Sequence, residues 1–134
     1  MTAPARHRAA ATLAAAAGVG FGIPGVVGLR HFARTGEVWM LAGFPTYGDG
    51  PFERVGISTS SPLLAGFVGV CLAEVALAAA LWRGVPGSST ASHALLPIEL
   101  AYWWGFALPF GFVFGLGRAA VLVVTPRRRP TERT

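Results

Sequence analysis

Three ionisable residues stand where charge is costly, because Glu74, Glu99 and Arg118 each lie inside an apolar run. At the centre of a membrane helix such a residue costs about 2.5 to 3.5 kcal/mol, so it turns toward the protein interior or a water-filled cavity. There it serves as an ion pair, a proton relay or part of a pathway. If the chain turns at Pro109, Glu99 lies ten residues before the turn and Arg118 nine after it, which places them at similar depth on adjacent arms. Glu74 is the thirteenth of the 21 residues in 62–82 and is also near mid-depth. The expectation is that Arg118 pairs with Glu99 or Glu74. The carboxyl left without the cation is then desolvated and becomes the candidate for a proton-coupled step.

The other reactive side chains fit ordinary roles. Cys71 lies one turn before Glu74 on the same helix face, where a buried thiol acts as a small apolar filler. As the only cysteine it excludes an internal disulfide and a CxxC pair. His93 falls at the start of an apolar run, without a second ligand at metal-like spacing. Tyr102, Trp103 and Trp104 read as packing or lipid-facing rings. Arg127, Arg128 and Arg129 read as a headgroup contact and topology signal, not as a nucleic-acid site. No P-loop, dinucleotide fingerprint, HExxH or nucleophile elbow occurs. The chemistry therefore leans away from an enzyme, with no catalytic residue, metal or cofactor expected.

The elements that must position these residues follow from composition. With 134 residues, 53% hydrophobic and 13% charged, the chain is one domain too apolar for an ordinary soluble protein. All 11 basic residues are Arg, and Lys, Asn and Gln are absent, a usage that points to a high-GC bacterial genome. The fold class expected is an all-α membrane protein, a bundle of four transmembrane helices, with three as the alternative. Residues 9–29 form a first span, with a cleaved signal peptide as the competing reading, and 62–82 a second. The apolar region 94–124 would be about 46 Å long as one helix, so it is expected to break at Pro109 into spans 92–108 and 111–125.

Counting arginines does not choose between the topologies. Four spans put seven arginines inside and three outside, and so do three spans with the N-terminus outside. Both place the tail 126–134 in the cytoplasm and the protein in the inner (plasma) membrane. The connection 30–61 is too short to bury a core of its own. It is expected to cap the bundle with its aromatics at headgroup level, and residues 35–41, with Trp39, to form a short interfacial helix. Small residues mark where helices can approach closely in lipid: Gly18, Gly22 and Gly25 on the first span, and Ala65, Gly69 and Ala73 on the second. Both stripes are expected to pack inside the bundle, with a homo-oligomer seam as the alternative.

The segments GFGIPGVVGLRHF (20–32), GFPTYGDGPFE (43–53) and LPIELAYWWGFALPFG (96–111) resemble small four-helix membrane proteins of high-GC bacteria, broadly the DoxX-like group. The resemblance implies a four-helix bundle and an accessory role in a membrane redox complex, and it carries over no catalytic residue. The reading from the residues is a non-enzymatic bundle or the subunit of a membrane assembly. Its partners are the lipid bilayer and either a second copy or another membrane subunit, without nucleic acid. The alternatives are a small proton-coupled carrier using a midplane carboxylate and an accessory subunit of a redox complex.

Overall fold

The computed structural model describes residues 2–123. The expected cytoplasmic tail 126–134, with Arg127, Arg128 and Arg129, lies outside the described residues, as does the end of the expected span 111–125. The chain forms α1 (Ala3–Thr35), a small hairpin of β1 (Met40–Leu41) and β2 (Phe44–Pro45), α2 (Pro51–Arg54), α3 (Ser61–Trp82), α4 (Ser88–Gly105) and α5 (Pro109–Val123). Among the described residues the regular structure is thus helical apart from four residues of strand, and α1 and α3 are long and apolar enough to cross a membrane.

Each boundary has a local cause. The hydroxyls of Thr2 and Ser60 accept from the backbone N–H of Ala5 and Leu63, capping α1 and α3. At the C-terminus of α1, Gly36 adopts φ 70 and its N–H donates to the Phe32 carbonyl. The helix therefore runs past residue 29 through Thr35 and then stops. Residues 39–46 form the β-hairpin around Ala42 and Gly43, both at positive φ, in place of the expected interfacial helix.

α4 ends in a Schellman motif. Leu108 donates to the Trp103 carbonyl at 2.7 Å and Ala107, at φ 53, to that of Trp104 at 3.1 Å. Pro109 then opens α5 with a ring already set for the first helical turn. The apolar region 94–124 is accordingly not one helix: the turn occupies Phe106 to Leu108, so α4 begins at Ser88 and ends three residues short of the expected 108. The same motif at Gly84 closes α3 before the turn into α4.

The four long helices form a ring in which α1 packs on α3 and α5, and α4 packs on α5 and α3. The start of α1, the end of α3 and the start of α4 meet at one end, where the Arg8 guanidinium lies over the Trp82 ring and His7 bonds Ser89. The segment between α1 and α3 closes the other end, with two of its aromatics turned inward as a plug and Phe44 left exposed. Tyr47 and Phe52 are buried against Phe67 and Phe106. The Tyr47 hydroxyl donates to the Phe21 carbonyl in the turn that Pro24 interrupts, a side chain supplying a donor where a helical proline disturbs the backbone ladder.

The two small-residue stripes separate. Gly18, Gly22 and Gly25 let α1 lie directly on α3: a methyl group at Gly18 would stand 2.8 Å from the Cys71 carbonyl, and one at Gly25 would meet the Phe67 ring. Ala65, Gly69 and Ala73, expected to pack inside, are exposed, and nothing lies within 4 Å of where a Gly69 side chain would begin. The buried face of α3 is the opposite one, carrying Leu64, Phe67, Cys71, Glu74 and Leu81. A second close approach, absent from the sequence expectations, joins α4 and α5, where Gly111 and Gly115 leave room for the buried Trp103 indole.

Candidate functional site

The ring of helices brings the three charges of the apolar runs together. Glu74, Glu99 and Arg118 are each no more than 1% exposed. α4 and α5 leave the turn at Phe106 to Leu108 antiparallel, so residues at matched distances from it face each other across the hairpin. Arg118 meets Glu99 in a two-pronged ion pair, its Nη1 donating to Oε1 at 3.0 Å and its Nη2 to Oε2 at 2.5 Å. This planar fork suits guanidinium and carboxylate, and burial strengthens the pair electrostatically.

Arg118 also reaches Ser92, a residue the sequence reading did not single out. Its Nε donates to Ser92 Oγ at 2.8 Å and its Nη2 to the Ser92 carbonyl at 3.4 Å. Ser92 and Glu99 are seven residues apart, two helical turns on one face of α4, and helical side chains lean toward the N-terminus, so Glu99 extends back toward Ser92. That spacing was the signal available in the sequence. One arginine thus joins two points of α4 to α5.

Glu74 approaches from α3. Its carboxyl lies within electrostatic reach of both Glu99 and Arg118. Neither of its oxygens has a hydrogen-bond partner at normal geometry, although both are buried. The arrangement is one cation with two carboxyls, one of them clamped and the other not. Cys71 sits one turn away on the same face as a buried free thiol and packs beneath Gly22.

The remaining candidates disperse. Tyr102 donates from its hydroxyl to the Leu63 carbonyl at 3.2 Å and joins α4 to α3. Trp103 is buried in the core and Trp104 is exposed. His93 is half-buried, and among the described residues no group of three His, Cys, Asp or Glu could hold a metal ion. In the plug, Thr59 donates from both its hydroxyl and its backbone N–H to Glu53 Oε1. Partial desolvation, then a shared hydrogen bond and the like charge of Glu53, hold the Asp49 carboxyl above its ordinary value. Burial, followed by the proximity of Cys71, pushes the Tyr47 hydroxyl well above its ordinary value.

No protein-family model, no curated protein and no solved structure matches the chain.

Proposed function

We propose that the chain is a four-span helical bundle of a bacterial inner membrane, with both ends cytoplasmic, acting as a non-enzymatic integral protein or as one subunit of a membrane assembly. The observation that carries this reading is the polarity of the fold. Ile98, Phe110, Val113 and Leu116 are each at least half exposed on α4 and α5, while Glu99 and Arg118 on the same two helices are buried. Ile23 and Leu72 are equally exposed on α1 and α3, around the buried Glu74. A water-soluble domain avoids wide apolar exposure, whereas lipid favours it and drives charge inward. The 18 residues of α4 and the 15 of α5 are about 27 and 22 Å long, short spans that bilayer thinning accommodates.

An impermeant maleimide tests the topology, because Ala42 lies exposed in the hairpin and Cys71 is buried. Ala42→Cys is expected to label in intact cells, and an epitope placed before Arg6 to stay protected until the inner membrane is permeabilised. An epitope accessible from outside refutes the four-span topology.

A second reading is a small proton-coupled carrier, and Glu74 favours it. With one cation and two carboxyls, the buried cluster is neutral only when one carboxyl carries a proton. In proteoliposomes loaded with a pH-sensitive dye, wild type would dissipate an imposed proton gradient and Glu74→Gln would not. Equal rates for the two end this reading.

A further inference from the structure

Two features on the outside of the bundle are unused by the cluster and meet at one residue. The first is an apolar groove of about 420 Å³ between α1 and α3. Gly18 and Gly22 form its floor with Cys71, and Ile23, Val26, Val68 and Leu72 stand along its sides. The second is a cradle of about 480 Å³ at the plug end of α1, where Arg30, His31 and Arg34 face Trp39. Val27 lines both. Val27, Arg30, His31 and Arg34 follow the i, i+3, i+4, i+7 spacing of one helix face, so groove and cradle adjoin along that face. Arg30 and Arg34 form no ion pair in the described residues.

We propose that groove and cradle together bind one anionic phospholipid of the leaflet on the plug side. Its acyl chain lies between α1 and α3 and its phosphate between Arg30 and Arg34. The dimensions support this occupant. From Gly18 to Val27 is nine helical rises, about 14 Å, and half of a hydrocarbon core of about 30 Å is about 15 Å. The inner end of the groove lies level with Glu74, since a methyl at Gly18 would stand 3.1 Å from Glu74 Cβ, and its outer end reaches the cations. The site is therefore one leaflet deep, apolar along its length and cationic at the headgroup, with an indole at the interface where amphipathic rings settle. A second copy of this apolar chain would match the groove but would not use the guanidinium groups.

The proposal rests on the membrane-spanning reading, and its test separates the two. Full-length protein, exchanged into detergent with equal phosphatidylglycerol and phosphatidylcholine, is analysed by native mass spectrometry. Wild type is expected to retain one phosphatidylglycerol in preference to phosphatidylcholine. Arg30→Gln with Arg34→Gln reduces that preference by roughly 25-fold, from two surface arginines at about fivefold each. Ile23→Trp, which fills the groove, removes retention of both lipids. Free glycerol phosphate at matched concentration does not displace the bound lipid. Equal retention of the two lipids, an unchanged preference in the double variant, displacement by glycerol phosphate, or a lipid-free dimer each overturns the site. Alkaline extraction of the source membranes reads the spanning reading by itself. Wild type that resists extraction yet shows no lipid preference refutes the lipid site alone, and wild type that washes off refutes both.

Discussion

Replacing Arg118 by Leu is the most direct perturbation of the buried cluster. The guanidinium makes two hydrogen bonds to Glu99 and two to Ser92, all sealed from solvent. Its removal leaves Glu99 and Glu74 facing each other without a cation. Deleting one partner of a buried pair costs about 3 to 5 kcal/mol, against a total stability of about 5 to 15 kcal/mol for a small domain. Arg118→Leu should therefore remove about a fifth of the stability or more. Exchanging both partners for apolar side chains, Arg118→Leu with Glu99→Met, should recover most of the loss, because neither charge then remains to be desolvated. Reversible unfolding in mixed micelles, followed by circular dichroism and by the fluorescence of the tryptophans, measures both. The charge swap Glu99→Arg with Arg118→Glu should fall between wild type and either single variant, since attraction returns but the Ser92 carbonyl loses its donor. A loss below about 1 kcal/mol for Arg118→Leu, or a double variant no more stable than that single one, would refute the pair as a structural tie between α4 and α5.

Three other outcomes follow from particular contacts. Gly111→Leu and Gly115→Leu drive side chains into the Trp103 indole and should each cost about 1 to 3 kcal/mol or more in the same unfolding assay. Gly69→Leu, on the open face, should be no less stable than wild type. Tyr47→Phe deletes the donor to the Phe21 carbonyl and should cost about 1 kcal/mol, with faster hydrogen exchange at the plug amides. Because Asp49 titrates above its ordinary value, the folded plug holds more protons than the unfolded chain over the interval between the two values. Plug stability should accordingly fall as pH rises above about 4, and Asp49→Asn should abolish that dependence in exchange measured from pH 3 to 7. Asn also tolerates the φ of 50 at this position.

What the sequence made legible is what local chemistry dictates. Pro109 after an apolar run marks a break, and equal spacing from that break aligns Glu99 with Arg118. The residues of the turn could not be placed as well, because the left-handed position of the Schellman motif is filled by Ala107 and not by the glycine that usually signals it. The inward rings of the plug are hidden in the sequence for a different reason. Its aromatics and turn formers describe an interfacial loop and a buried one equally well, and only the space left between α1, α3 and α4 sends Tyr47 and Phe52 inward. Ser92 is inconspicuous in the sequence because a serine near a helix start has ordinary uses, and its role depends on the length of an arginine from another helix.

The stripe on α3 shows how such an ambiguity is resolved physically. At 100° per residue, the face defined by Phe67, Cys71, Glu74 and Ala78 and the face defined by Ala65, Gly69, Ala73 and Ala76 lie about 180° apart. Both are compatible with a helix neighbour, one through interlocking side chains and the other through close backbone approach. Turning α3 by half a revolution would present the small residues to α1 and place Glu74 in the hydrocarbon, at about 2.5 to 3.5 kcal/mol. It would also set glycine against small residues along that contact, leaving the space that Phe67 fills against Gly25. The cost of exposing Glu74 therefore favours the orientation that α3 adopts. A small-residue stripe says where a helix can be approached, and the single charge on the other face decides which side is.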